Sequence, residues 1–234
     1  MKACRRSLPF AHGIAQGPMA RKPSFVKVVV GLAVVAVVAL LFVRSVRNTR
    51  AEPFAVRRES LAGWTLVMQP PDDPLSSWLA LSPPPQLPTS LGREIFARGG
   101  ESVNYPSPSR VPLLLRSEFD RAFAGTVAPE DIVSLARAAG FESMEWKPHC
   151  MAHRRISEPG GTRGLHFVLL EAPSFDSFRQ QLSELLRGSA RDLFDPLALS
   201  PVLIVAGLDG NFGRWMPLRA DPEADCLAPV HAER

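Results

Sequence analysis

The chain has 234 residues, 46% of them hydrophobic, so it is long enough to bury the core of one domain. Nine of its 27 basic residues and none of its 23 acidic residues precede residue 51. The rest, residues 51–234 (the body), therefore has 18 basic and 23 acidic residues and a net charge of −5. A mildly acidic body lacks the clustered positive charge that binds phosphates, which argues against a nucleic-acid partner.

Residues 25–43, FVKVVVGLAVVAVVALLFV, contain one charged residue and no polar face. At ~1.5 Å per residue this stretch nearly spans the ~30 Å hydrocarbon core of a bilayer. We therefore expect one transmembrane helix, preceded by a disordered, basic cytoplasmic tail over residues 1–24. A cleaved signal peptide is the alternative, since Thr49 and Ala51 are small. The long apolar run and the arginines after it favour an uncleaved anchor that contacts the lipid bilayer.

The charges around this segment give opposing orientation signals. Six basic residues precede Val28, which favours a cytoplasmic amino terminus, whereas five arginines in 44–58 favour the reverse. Long domains cross membranes largely regardless of charge. We therefore expect the inner or plasma membrane, with the body outside the cytoplasm, in the periplasm. Met19 is an alternative start, in which case Cys4 is not part of the protein.

The next two segments have weaker patterns. Residues 44–59 are predicted to be a polar juxtamembrane linker, and residues 60–110 the amino-terminal part of an α+β domain. Short apolar runs and turn residues predict strands at 64–69 and 78–81, a helix at 89–98 and a loop at 104–110.

Residues 111–207 have the clearest patterns. The predicted elements are a strand at 111–116, a helix at 129–139, strands at 143–157 and 162–171, a helix from 173 to before 188, and a strand at 200–207. The order β-α-β-β-α-β predicts a ferredoxin-like sandwich over 111–219, with two helices on one face of an antiparallel sheet. The remaining residues, 220–234, are predicted to be a carboxy-terminal tail.

The stretch WKPHCMAHRR, 146–155, holds His149, Cys150 and His153 within five residues. Polarity alternates with period two across 143–157, which predicts a half-buried strand. Cys150 then faces the core and both histidines face away from it. One metal ion therefore does not easily bind Cys150 together with either histidine.

Cross-strand pairing predicts a different pair of ligands. If the hairpin loop after this strand has an even number of residues, His153 lies opposite His166 with Cβ atoms ~5 Å apart. Two imidazoles at that distance would chelate a metal ion, given a third ligand. Solvated sheet histidines are the alternative, and an odd loop would break the pairing.

The body contains two cysteines, Cys150 and Cys226. Cys150 has three possible roles: a small buried core residue, a disulfide partner of Cys226, or a catalytic nucleophile. Export from the cytoplasm favours the disulfide. The nucleophile is the weakest alternative, because a thiol that faces the core is poorly placed to react.

Other signatures of chemistry are sparse. The sequence contains no G-x-S-x-G elbow, phosphate-binding glycine loop, H-E-x-x-H or C-x-x-C, and we expect no cofactor. The turn-rich segment LDGNFGRW offers a possible binding loop through Asp209, Asn211 and Arg214, with a plain turn as the alternative.

These patterns favour a non-catalytic binding module held at the membrane. It would pair with a protein partner or a second copy through a face or edge of its sheet. One alternative is a metal-binding or hydrolytic domain that uses His153 and His166. The other is a structural subunit of a membrane complex, in which the helix at 25–43 is itself the contact.

Overall fold

The computed structural model describes residues 25–70, 72–99 and 102–233, so the tail predicted for 1–24 lies outside it. The described chain divides into two units after Ser45. The four longest helices are α1 (Phe25–Ala51), α2 (Gln86–Gly99), α3 (Pro129–Ala138) and α4 (Pro173–Leu185). The strands are β1 (Phe54–Arg57), β2 (Thr65–Met68), β3 (Ser77–Ser82), β4 (Val111–Leu115), β5 (Lys147–Glu158), β6 (Gly161–Glu171), β7 (Val202–Gly207) and β8 (Cys226–Glu233). Short helical turns lie at Arg58–Leu61, Arg116–Glu118, Phe119–Phe123, Gly188–Leu193, Phe212–Trp215 and Pro222–Asp225.

Helix α1 contains the apolar segment. Its window Val28–Ser45 has a mean hydropathy of 2.6, and none of it is buried within the protein. It is long and apolar enough to cross a membrane, and the same properties fit a signal sequence near an amino terminus. A buried core helix is not compatible with these exposed side chains.

Over its described residues the body has two sheets, and it belongs to the α+β class, as predicted. The larger sheet has the order β1-β8-β5-β6-β7. It is mixed, because β1 runs parallel to β8 while the other pairs are antiparallel. The smaller sheet is antiparallel, with the order β2-β3-β4.

The predicted ferredoxin-like sandwich is not confirmed. That arrangement would place residues 111–115 in one sheet with β5, β6 and β7. Instead β4 pairs with β3, and β6 pairs directly with β7. Strand β3 supplies the reason: its residues Trp78–Leu81 are at most 1% exposed, so its backbone needs strand partners on both sides.

Two strands lie in segments that were predicted to be irregular. Strand β1 forms within the predicted linker 44–59, and β8 forms within the predicted tail 220–234. In β1, Phe54 and Val56 are buried and alternate with exposed residues. Strand β8 lies inside the sheet, between β1 and β5. The carboxy-terminal segment is therefore part of the core sheet.

The larger sheet buries both faces. Alternate residues of β7 belong to separate clusters, with Leu203 and Val205 in a main core and Val202 and Ile204 in a second core. The main core includes residues of α2, α3, α4 and the smaller sheet. The second core is closed by residues from loops outside the sheet, Leu75, Phe212, Trp215 and Leu218.

A buried ion pair joins α4 to the segment after β4. Arg179 is fully buried and Glu118 is 4% exposed. The guanidinium donates to both Glu118 carboxylate oxygens, at 2.6 and 3.3 Å. Its other hydrogen bonds go to the carbonyl oxygens of Leu113, Asp195 and Pro196. Burying this charge is tolerated because every guanidinium nitrogen has an acceptor.

A second ion pair fixes the turn before β8. Arg154 donates from Nε and Nη2 to the two carboxylate oxygens of Asp225, which is 7% exposed. The backbone N–H of Asp221 donates to the same carboxylate. Burial raises the pKa of Asp225, but the hydrogen bonds from Arg154 and Asp221 and the charge of Arg154 outweigh it. The net effect holds the pKa below its usual value.

We expect Asp225→Asn to lower the free energy of unfolding by about 1–3 kcal/mol at neutral pH. A carboxyl group with a lowered folded pKa stabilises the fold above its unfolded pKa, and this stabilisation is lost as the pH falls through the folded pKa. The difference between wild type and variant should therefore shrink below about pH 4. Denaturant unfolding of the full chain, followed by tryptophan fluorescence at several pH values, measures it.

The matched control for this experiment is Asp192→Asn, at an exposed position. It should change the free energy of unfolding by less than about 0.5 kcal/mol. An equal effect of Asp225→Asn at pH 7 and at pH 3 would contradict the role assigned to its charge.

Candidate functional site

The two histidines of the predicted metal site lie opposite each other. Strand β5 ends at Glu158 and pairs with Gly161, so the hairpin has a two-residue loop and the even register that pairs His153 with His166. The two imidazole rings stack, with centroids 4.3 Å apart and planes inclined by 19°.

Stacked rings do not chelate one ion. The nitrogen lone pairs lie in the ring planes, and nearly parallel planes do not converge on a metal ion ~2.1 Å from each nitrogen. Among the described residues, the group of three possible ligands close enough to share an ion does not include His153 or His166. The metal site at His153 and His166 therefore stays a prediction, and it would require the two rings to reorient.

The histidine pair also lies on a covered face rather than on the solvated face that alternation predicts. Both imidazoles line a cavity of about 70 Å³ (the histidine cavity) together with Ile95 and Gly99 of α2. Arg98 and Arg155 also line it, and none of its described lining residues is acidic. Strand β5 contributes residues to both cores, so neither of its faces is left entirely to solvent.

The thiol and histidine of the 146–155 cluster come closer together than strand alternation allows. Pro148 pairs with Leu170 and Cys150 with Leu169, so His149 is the extra residue of a β-bulge. A bulge interrupts the alternation of side chains between the two faces. A ring nitrogen of His149 and the sulfurs of Cys150 and Cys226 all lie within 4.8 Å of one another. The prediction that His149 and Cys150 point apart is therefore wrong.

The two body cysteines are bonded to each other in the structure. Their Cα atoms are 5.7 Å apart and 76 positions separate them in sequence. The bond crosslinks the neighbouring strands β5 and β8. Of the three predicted roles of Cys150, the structure has the disulfide, with Cys150 itself 4% exposed in the second core.

The predicted binding loop is tied to strand β6 through Asp209, and its role in binding stays a prediction. Asp209 Oδ2 accepts a hydrogen bond from Arg163 Nε at 2.8 Å, while the side chains of Asn211 and Arg214 are exposed. The hydrogen bond to Asp209 raises the pKa of Arg163, and the charge of Glu158 adds to the rise against an opposing effect of burial. Asp209 therefore anchors the loop to β6.

A larger groove follows the outer side of β1, the last strand of the five-stranded sheet. It has a volume of about 870 Å³. We call it the edge groove; its walls include Ala55 and Arg57 of β1, Thr89, Ser90 and Arg93 of α2, and Glu233 of β8. Sequence reasoning missed this groove because β1 was assigned to a linker. The available signal in the sequence was the spacing of the large apolar residues Phe54 and Val56, two positions apart.

No protein-family model, curated protein or solved structure matches this chain. The sites must therefore be compared by their own size and chemistry. Ligand pockets commonly measure ~300–1,000 Å³. The edge groove, at about 870 Å³, falls in that range, and the histidine cavity, at about 70 Å³, does not.

Proposed function

We propose that the chain is a single-pass membrane protein whose body binds an extended segment of a partner protein in the edge groove, without catalysing a reaction. The observation that carries this proposal is a groove bounded by an edge strand on one side and a helix on the other. Strand addition to an exposed sheet edge is a common mode of peptide recognition, with backbone hydrogen bonds giving affinity and side-chain pockets giving specificity.

Strand β1 is suited to receive another strand. One of its sides pairs with β8 over Phe54–Arg57, and among the described strands none pairs with its other side. The backbone N–H and C=O groups of an unpaired edge form hydrogen bonds with any extended chain that fits beside them. A peptide in the edge groove would offer hydrogen-bond partners to the backbone groups on the free side of β1.

The side chains of the edge groove favour a polar ligand that carries both charges. Its walls include two arginines, Arg57 and Arg93, and two glutamates, Glu59 and Glu233. The walls also include Thr89 and Ser90 of α2, whose hydroxyl groups donate to the carbonyl oxygens of Pro85 and Leu87. Balanced charges and hydroxyls match a segment with alternating acidic and basic side chains better than a fully apolar one.

The proposed setting is the outer side of the inner or plasma membrane, in the periplasm, with residues 25–43 in the bilayer. The unburied apolar window of α1 supports the anchor. The Cys150–Cys226 bond supports an oxidising compartment. A reporter that is active only in the cytoplasm would contradict this location if it were active when fused after residue 234.

We expect peptides selected from a random display library on the full chain in detergent micelles to bind in the edge groove. Ser90→Arg should weaken their binding at least about tenfold, because an arginine there fills the groove between α2 and β1. Titration calorimetry measures the affinity. Hydrogen exchange should show added protection at residues 54–57 when peptide is bound.

The matched control is Ser177→Arg, which makes the same change at an exposed position on α4. It should leave peptide affinity unchanged. Equal binding by the Ser90→Arg variant, protection elsewhere than β1, or a library that yields no binder would each contradict the proposed function.

A further inference from the structure

We propose that His149, Cys150 and Cys226 form a binding site for one zinc ion when the disulfide is reduced. This site is separate from the edge groove and does not depend on the proposed binding of a peptide. Its ligand class is a thiophilic divalent cation, because two thiolates and one imidazole select zinc over the oxygen-seeking magnesium and calcium ions.

The three ligand atoms lie near one another, although the two sulfurs must separate after reduction to reach tetrahedral spacing. Zinc binds sulfur at ~2.3 Å and imidazole nitrogen at ~2.0–2.1 Å, which places neighbouring ligand atoms roughly 3.5–3.8 Å apart. The His149 nitrogen and both sulfurs lie within 4.8 Å of one another. Once the bond is reduced, rotation of the two cysteine side chains would separate the sulfurs and place them with the nitrogen around one ion.

Glu171 on β6 supports the histidine. Its Oε1 lies 3.0 Å from Nδ1 of His149. A carboxylate bound to one imidazole nitrogen fixes the ring and leaves the other nitrogen for a metal ion, which is the usual arrangement of zinc-bound histidine. Nε2 of His149 is thus the nitrogen assigned to zinc, and Glu171 is a positioning residue.

The burial of the ligands fits an entry path from one side. The side chains of His149 and Glu171 are 47% and 57% exposed, whereas Cys150 is 4% exposed. An ion can reach the imidazole from solvent and then meet the sulfurs at the border of the second core. A water molecule would complete the fourth position.

The redox step is balanced by a dithiol. The dithiol gives two electrons and two protons to the Cys150–Cys226 bond and becomes a disulfide itself, which leaves two protein thiols. Each thiol loses its proton when its sulfur binds zinc, so two protons are released for each ion bound. The ion then links β5 to β8, the two strands that the disulfide joined.

The test uses the full chain in detergent micelles, with Cys4→Ser so that only the two body cysteines remain. The protein is reduced with a dithiol, desalted without oxygen, and titrated with zinc or with cobalt(II) as a spectroscopic probe. We expect one ion per reduced chain, with a thiolate-to-cobalt charge-transfer band and the visible bands of tetrahedral cobalt. The oxidised chain should bind neither ion stoichiometrically.

Three variants locate the site. His149→Ala should weaken zinc binding by about tenfold or more, and Cys226→Ser should abolish the two-thiolate spectrum. His231→Ala, at an exposed histidine of β8, is the control and should behave like the parent. Failure of the reduced chain to bind zinc, with or without loss of its circular dichroism, would overturn the proposal. Equal binding by His149→Ala would also overturn it.

Discussion

Replacing Arg179 with methionine should lower the free energy of unfolding by about 3–5 kcal/mol. The substitution removes the cation but leaves the carboxylate of Glu118 at 4% exposure, without its counter-ion. It also removes the donor from the carbonyl oxygens of Leu113, Asp195 and Pro196. Denaturant unfolding followed by tryptophan fluorescence reports on the body, because all four tryptophans of the chain are buried there.

The matched control is Arg187→Met, which makes the same change at an exposed arginine two residues after α4 ends. It should cost less than about 0.5 kcal/mol. The double variant Glu118→Met/Arg179→Met should lose less stability than Arg179→Met alone, since no lone charge stays buried. A cost below about 1 kcal/mol for Arg179→Met would show that the pair is not needed.

Removing the disulfide should have the second largest effect. We expect Cys226→Ser to lower the free energy of unfolding by about 2–5 kcal/mol under oxidising conditions, because the bond closes a long loop in the unfolded chain. The two cysteines are 76 positions apart in sequence, so the closed loop is long. The expected loss of stability therefore lies near the upper end of that range. Denaturant unfolding without reductant measures the difference from the wild type.

The control for this second prediction is the same comparison after reduction in the presence of a metal chelator. Reduced wild type and reduced Cys226→Ser should then have nearly equal stability, since neither has a crosslink or an ion. A difference of more than about 1 kcal/mol that persists after reduction would mean that Cys226 acts through packing and not through its bond.

Local patterns predicted local structure well. The helices at 129–138 and 173–185 begin with proline, show apolar spacing of helical period, and lie within a few residues of the predicted bounds. The β5–β6 hairpin was also predicted, and its two-residue loop satisfies the condition under which His153 was expected to pair with His166. In each case the signal and the element occupy the same stretch of chain.

Pairing between distant segments was not predictable in this way. Nothing local shows that β4 pairs with β3 rather than joining β5, β6 and β7, because a wholly apolar strand fits the interior of either sheet. Strand β1 has four residues, too few for its alternation to stand out among the neighbouring arginines. Because β1 and β8 were not predicted, the edge groove was not predicted either.

The candidate sites illustrate the same limit. The Cys150–Cys226 pair was foreseen as one alternative, since the body has no other cysteine. The proximity of His149 to Cys150 was not foreseen, because a single inserted residue at a bulge leaves no mark in the polarity pattern. The pairing of His153 with His166 followed from register, but their stacked ring orientation depends on side-chain packing beneath α2.

The interior position of β8 has a consequence for synthesis of the protein. Phe54 of β1 pairs with Val230 of β8. Strand β1 therefore cannot pair until almost the whole body has been synthesised and has left the ribosome. Bringing two strands together that are so far apart in sequence loses chain entropy before any stabilising contact forms. This loss slows folding. During that interval the half-built sheet exposes the edge of β5 as well as β1, and a chaperone that covers strand edges would have two sites to protect.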